Sequence, residues 1–157
     1  MTPLNKTFFD RIEARLGNIT TTNGYTYSAG KIARAQLTPF KGYDLPAYNI
    51  WATNLGNVIN KYGSDDRSLQ VYIEVHSKTN DEPFIDVGDK LAQDLVTGLN
   101  RATTAPLVSD DISPDLGGIV DDLIFAGYDY HVGQGQDPFC AILAKFEVKY
   151  TVDQNTI

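Results

Sequence analysis

Three acidic doublets carry side chains that could bind a divalent cation for hydrolysis: Asp65-Asp66, Asp110-Asp111, and Asp121-Asp122 with His131 further along the chain. Carboxylate oxygens are the ligands that Mg²⁺ and Ca²⁺ prefer, and a metal-bound water is a hydrolytic nucleophile. The doublets fall in or beside stretches of loop composition, however, and no spacing among them fixes a set of coordinating ligands. We therefore predict no metal site, and a small metal-dependent hydrolase remains an alternative.

Nucleophiles and phosphate loops are equally unsupported by their surroundings. Ser64, Ser77 and Cys140 lack a nucleophile elbow or a neighbouring base, and the apolar strand pattern around Cys140 predicts a buried, inert thiol. Gly117-Gly118 and Gly133-Gln134-Gly135 are too short for a phosphate loop, because neither follows a strand and opens a helix with a lysine. We predict a non-enzymatic protein without catalytic residues or cofactors.

Length and composition predict one folded domain spanning residues 1–157. The chain is 42% hydrophobic and 21% charged, which is ordinary for a domain with its own core. One cysteine excludes an internal disulfide, and no apolar stretch approaches the ~18 residues that span a bilayer, so we expect synthesis in the cytoplasm and no membrane partner. A net charge of -7 argues against tight DNA binding, although an acidic wall is compatible with a channel through which DNA slides.

Two segments have the period of amphipathic helices. Leu4, Phe8, Ile12 and Leu16 recur every four residues and predict a helix that ends near Gly17-Asn18. Asp81-Glu82-Pro83 predicts the start of a second helix. Its apolar stripe is formed by Phe84, Val87, Leu91, Leu95 and Leu99.

Strand patterns account for most of the remaining chain. Strict alternation over residues 69–76 predicts a strand with one face in the core and His76 on the polar face. The other predicted strands cover residues 31–37, 47–53, 119–128 and 139–152. Residues 55–68 predict a loop or a bent strand extension, and residues 103–118 predict a surface connection. The order predicts an α+β fold, in which two α-helices cover one face of a mixed, mainly antiparallel β-sheet of about five strands.

Several short motifs resemble the tail terminator family of tailed bacteriophages, the family of minor tail protein U. The likeness spans most of the chain. It rests on the helix ending in Ile19, Thr22-Asn23-Gly24-Tyr25, the strand with Arg34, Leu45-Pro46-Ala47 and Phe146-Glu147-Val148-Lys149-Tyr150.

The resemblance implies a structural protein of the virion. Members form a ring, typically of six subunits, on the head-proximal end of the tail tube. The ring ends tube polymerisation and offers a surface to the head–neck connector protein. The implied partners are the protein itself, the tail tube protein and the connector. DNA passes through the channel without specific binding, and no chemical step is involved.

Two sets of residues are candidate contacts in such an assembly. The long last strand and residues 151–157 could add to a neighbour's sheet through open edge hydrogen bonds, which nominates Phe146, Val148, Tyr150 and Val152 as the subunit interface. The predicted loops nominate contacts with the tube or neck. These are Asn57, Lys61, Tyr62, Asp65, Asp66, Asp110, Asp111, Gln134 and Gln136.

Other functions remain open beside the tail terminator. Another neck or tail-completion component, or a tail tube subunit, would use the same ring assembly. A stand-alone binding domain with an apolar pocket would instead remain a monomer at every concentration. The nine tyrosines and Trp51 lack interleaved basic residues, so they favour protein contacts over nucleic-acid stacking.

Overall fold

A computed structural model describes residues 4–59, 64–79, 82–101, 112–131 and 139–153. These residues form a five-stranded mixed sheet and two α-helices, which confirms the predicted α+β class. The elements in chain order are α1 Leu4–Gly17, β1 Ile32–Arg34, β2 Ala47–Ile59, β3 Ser64–Lys78, α2 Phe84–Leu99, β4 Asp122–His131 and β5 Phe139–Asp153.

The strands lie in the order β1-β2-β3-β5-β4. Only β1 and β2 are parallel, and the other neighbouring pairs are antiparallel. The last strand, β5, therefore lies inside the sheet, while β1 and β4 are the outer strands.

Both helices pack on one face of the sheet. Along β3, Leu69, Val71, Ile73 and Val75 are buried while the side chains between them are only half-buried. The buried side of β5 consists of Cys140, Ile142, Ala144, Phe146 and Val148. The helix residues packed against these strands are Phe8, Ile12, Leu16, Val87, Leu91, Ala92, Leu95 and Leu99. Among the described residues, the helices thus cover one face of the sheet, as the sequence predicted, and no helix covers the other, which we call the uncovered face.

Arg15 joins α1 to the end of α2. Its side chain is buried, and Nη1 donates to the carbonyl oxygens of Leu99 and Ser113, each at 2.7 Å. The last carbonyls of a helix have no partner within the helix, so a cation at this position both satisfies one and opposes the negative end of the dipole. Arg11 adds a bond of 2.9 Å to the carbonyl of Leu116.

Asp94 of α2 holds the segment between α1 and β1. Its carboxylate accepts hydrogen bonds from the backbone N–H groups of Thr26 at 3.0 Å and Tyr27 at 2.9 Å. Burial raises the pKa of Asp94 in spite of these bonds. Within this segment Gly24 adopts a φ of 98°, a conformation that favours glycine.

The ends of the strands differ from the prediction, and the largest differences have local causes. β1 stops at Arg34 because Ala35 is left-handed, with φ 49°, and the chain then turns away from the strand direction. β2 continues to Ile59 instead of stopping at residue 53, with an irregularity between Asn54 and Gly56. β4 begins three residues later than predicted because residues 114–119 form turns.

Neither helix within the described residues combines the length and the apolar character that crossing a bilayer requires.

Candidate functional site

The acidic doublets belong to different strands where the structure describes them. Asp65 and Asp66 are in β3, whereas Asp121 and Asp122 lie at the start of β4 and Asp121 accepts a hydrogen bond of 2.7 Å from the Thr151 hydroxyl. Asp110 and Asp111 fall outside the described residues. Across the described ranges, no three side chains of the His, Cys, Asp and Glu types come together as a metal site.

His76 and Cys140 have structural partners. His76 is half-buried on the uncovered face, where it contacts the Glu74 carboxylate and the ring of Phe40, whose centroid lies 5.4 Å away. The predicted position of His76 on the polar face of the strand is confirmed. Cys140 is buried as predicted, its thiol donates to the Phe84 carbonyl at 3.2 Å, and burial raises its pKa, which disfavours the reactive thiolate.

The predicted subunit interface on β5 is contradicted for two of its four residues, Phe146 and Val148. Phe146 and Val148 are buried in the chain's own core, and Tyr150 packs partly against it. Val152 pairs through its backbone with Asp65 of β3. Because β5 pairs with β3 on one side and β4 on the other, its backbone has no open edge over residues 141–149. Because β5 is the last strand in the sequence, it was expected at an edge of the sheet. In the structure it lies between β3 and β4.

The predicted contact loop over residues 55–68 consists mostly of strand where it is described. Asn57 pairs with Arg67, and Asp65 and Asp66 pair with Ile59 and Val58. The alternative of a strand extension is therefore correct for these positions. The remaining predicted contacts lie outside the described residues, and these are Lys61, Tyr62, Asp110, Asp111, Gln134 and Gln136.

A three-stranded arm extends past the region where β4 pairs. Asp122, the first residue of β4, lies opposite Lys149, whereas β3 and β5 continue to the Ser64–Asp153 pair. We define the arm as residues 54–59, 64–67 and 150–153. The four residue pairs beyond Lys149 extend it by roughly 13 Å at ~3.3 Å per residue.

The uncovered face of the sheet carries an aromatic pair and a groove. Trp51 and Tyr72 stack across β2 and β3, with centroids 5.6 Å apart. Beside them residues 35–45 pass over the face, held by two hydrogen bonds between the Asn49 amide and the Gln36 backbone. The groove below this segment has a volume of about 530 Å³. Its lining includes Pro39, Phe40, Leu45, Asn49, Glu74 and His76.

One row of paired residues crosses the whole sheet and ends at its two lateral margins. Ile32, Tyr48, Val75, Ile142 and Tyr130 follow one another from β1 to β4 through the registered pairs. Four strand spacings of ~4.8 Å place the ends of this row roughly 19 Å apart. The residues around Ile32 and those around Tyr130 therefore lie at the same level on opposite sides of the sheet.

The surface beside the start of β1 is basic and continues onto the uncovered face beside Lys78. We define the basic margin as Lys31, Lys41 and Tyr43. The Lys31 N–H donates to the Asp44 carbonyl at 2.9 Å, which brings this segment against the start of β1, and the Lys41 ammonium lies 5.7 Å from the Tyr43 ring centroid. The Tyr43 side chain is 79% exposed.

No ion pair neutralises the two lysines of the basic margin among the described residues. Arg34, which is close in sequence, differs because it forms ion pairs of 2.6 Å with both Asp10 and Glu13 of α1. Its charge is therefore balanced within the chain, while those of Lys31 and Lys41 face solvent.

The margin beside β4 is acidic and partly aromatic. We define the acidic margin as Ile85, Asp86, Asp89 and Tyr130. The Asp89 carboxylate accepts hydrogen bonds from the hydroxyls of Tyr128 and Tyr130, which lower the pKa of Asp89 and keep it ionised. Ile85 lies one helical turn before Asp89 and is 50% exposed, and Tyr130 is 36% exposed.

Sequence reasoning missed both margins. Tyr128 and Tyr130 are two residues apart in a predicted strand region, so they share a face, and this spacing was an available signal. A second available signal was Ile85, an apolar residue in the first turn of α2 that does not belong to the predicted apolar stripe. The basic margin had no such signal, because only the fold brings Lys41 and Tyr43 to the start of β1.

No family model matches this sequence, and no curated protein matches it either.

Proposed function

We propose that this chain is a structural protein of a phage tail that forms a closed ring at the head-proximal end of the tail tube. In this role it ends tube polymerisation and joins the tail to the head–neck connector without any chemical step. The short motifs from Ile19 to Tyr150 support the choice of family. The observation that carries the ring is the pair of unlike margins, a basic one beside the start of β1 and an acidic one beside β4.

Unlike surfaces on opposite sides of a subunit favour head-to-tail association. When such a contact repeats with a fixed rotation, it closes into a ring of defined size with a central channel. An isologous contact would instead use one patch twice and stop at a dimer. The basic and acidic margins, opposite in charge and located on different parts of the surface, fit the head-to-tail class.

The arm supplies a contact in another direction. It continues along the strands past the start of β4, so its end lies away from the row that joins the two margins. We assign the arm, with Asn57, Asp65 and Asp66, to the axial contact with the tail tube protein. Its backbone edges suit an extended partner, since outer strands pair readily with another chain.

Interactions of the titratable groups support a role without catalysis. Arg15 binds carbonyl groups, Asp94 binds backbone N–H groups, and the Cys140 thiol donates to a carbonyl. Each therefore stabilises the fold. In none of these three interactions does a nucleophile contact a base, as covalent catalysis requires.

Loss of the protein during infection tests the proposed position. A virus in which translation of this chain is blocked should assemble tails longer than normal that fail to join heads, as measured by electron microscopy. Supplying the protein from a plasmid should restore both length and joining. Tails of normal length on complete particles without the protein would contradict the proposal. A tail tube subunit differs because its loss would leave no tube at all.

The groove of about 530 Å³ supports a second candidate, a domain that binds a small apolar ligand. Its volume lies within the usual range of ligand pockets, and Phe40, Leu45 and Pro39 provide apolar walls. This function predicts a monomer at every concentration and a rise in Tm with ligand. Ring formation by the purified protein without ligand would decide against it.

A further inference from the structure

The two margins differ in charge, in shape and in the backbone that carries them. The basic margin projects Tyr43, which is 79% exposed, between two lysines without ion pairs among the described residues. The acidic margin combines a half-exposed isoleucine with carboxylates of α2 beside the Tyr130 ring. An exposed aromatic ring with cationic neighbours is complementary to an apolar patch with anionic neighbours.

The geometry points to a specific subunit contact: Tyr43 of one copy packs against Ile85 and Tyr130 of the next copy, while Lys31 and Lys41 face Asp86 and Asp89. This inference rests on the proposed ring and names the surface through which it closes. The partner is a second copy of this chain, because both halves of the complementary pair are present on each copy.

The hydrogen bonds of Asp89 suit it to such a contact. Two tyrosine hydroxyls bind the carboxylate and orient it before any neighbour arrives. Neither hydroxyl removes its charge, so the carboxylate can attract a lysine ammonium. A preorganised charge loses less conformational freedom on association than a freely rotating one.

The position of Tyr130 depends on Gly88. A Cβ at this glycine would lie 2.7 Å from Cε1 of Tyr130, so the ring approaches the helix backbone more closely than a larger residue permits. The acidic margin therefore has a fixed shape, with the ring of Phe84 packed edge-on to Tyr130 at a centroid distance of 5.9 Å.

Two margin variants with opposite defects test the contact. Lys41→Glu with Tyr43→Ala destroys the basic margin and leaves the acidic margin intact. Ile85→Lys with Asp86→Lys does the reverse. Size-exclusion chromatography with light scattering then measures the mass of each variant alone and of an equimolar mixture, at low ionic strength.

We expect each variant alone to remain a monomer where the unmodified protein assembles. The mixture should form a species of two copies and no larger one, since each copy then has one functional margin. This complementation is specific to a contact between two different surfaces. Variants that assemble like the unmodified protein, or a mixture that stays monomeric, would overturn the inference and leave the proposed ring in place.

Control variants separate the contact from general effects of charge and folding. Gln93→Glu with Leu37→Ala alters an exposed helix residue and an exposed leucine outside the basic margin, and Ile112→Lys alters an exposed isoleucine outside the acidic margin. All controls should assemble normally, and all variants should unfold near the Tm of the unmodified protein. The milder Tyr43→Ala alone should raise the concentration needed for assembly by about tenfold. An unmodified protein that never assembles would overturn both the contact and the ring.

Discussion

Ile32 and Tyr130 lie at the two ends of one row of paired residues that crosses all five strands. The row runs from β1, which begins next to Lys31 of the basic margin, to Tyr130 of the acidic margin. Because Tyr48, Val75 and Ile142 within it are buried in the core, packing fixes the distance between Ile32 and Tyr130. A rigid spacing between unlike contact surfaces sets the angle at which successive copies associate, and this angle determines how many copies close a ring.

Replacing Arg15 tests the link between the two helices. Arg15→Met retains much of the apolar stem but leaves the carbonyls of Leu99 and Ser113 without this donor. Buried acceptors that lose their partner cost about 1–3 kcal/mol each, so we expect the free energy of unfolding to fall by about 3 kcal/mol. Urea denaturation followed by circular dichroism measures this change.

Lys6→Ala is the matched control for Arg15. Lys6 also belongs to α1, but it forms an exposed ion pair with Asp10 at 2.8 Å. Exposed pairs of this kind contribute at most about 1 kcal/mol. Equal losses of stability in the two variants would contradict the structural role of Arg15.

Two glycines at helix positions should respond to alanine in opposite directions. A Cβ at Gly98 would lie 2.7 Å from two carbons of the buried Ile19 side chain, whereas a Cβ at Gly17 meets nothing within 4 Å. We expect Gly98→Ala to destabilise the protein by about 1–3 kcal/mol through overpacking. Gly17→Ala should stabilise it by up to about 1 kcal/mol through helix propensity. Thermal denaturation compares the two, and equal shifts in Tm would contradict the close packing of α2 on Ile19.

The hydrogen bonds from Tyr128 and Tyr130 should be visible in the titration of Asp89. In the folded protein they lower the pKa of Asp89 below 3.8, so its contribution to stability is present above that pH and is lost as pH falls through the lowered value. Replacing both tyrosines by phenylalanine should raise this pKa towards 3.8. Carboxyl carbon chemical shifts followed by NMR against pH measure it, and an unchanged value would show that the hydroxyls do not bind Asp89.

Shortening the chain at two positions separates the arm from the core. Deleting residues 151–157 removes the part of β5 that pairs with Asp66, Asp65 and Ser64, while the buried residues of β5 remain. We expect little change in Tm but a failure to terminate tail tubes, measured as tube length in electron micrographs. Deleting only residues 154–157 leaves β5 complete and is the control. Normal tube lengths with the longer deletion would remove the arm from the proposed axial contact.

Local patterns predicted the elements that carry a strong period. The four-residue spacing from Leu4 to Leu16 predicted α1, and the alternation over residues 69–76 predicted the central part of β3. These patterns work because one face of each element is buried and the other is not. The fold class and the helix-covered face followed from the order of these elements.

Long-range pairing and single side chains could not be predicted in the same way. A strand with one buried face shows the same alternation whether it is an outer or an inner strand. The sequence of β5 therefore did not predict its position beside β3. The sequence predicts Arg15 as a surface residue of a helix. In the structure it is buried, because it binds carbonyl groups that are distant in sequence. The arm was obscured because residues 54–59 and 64–68 lack a clear apolar alternation and are defined by pairing across strands.

The mass and shape of the purified protein test the central claim most directly. Light scattering together with negative-stain electron microscopy, over a range of concentrations at low salt, should show closed rings of uniform size with an open centre. Raising the ionic strength should shift the population towards monomers, since the charges of the margins are exposed and screened by salt. A protein that remains a monomer at every concentration and salt condition would contradict the account.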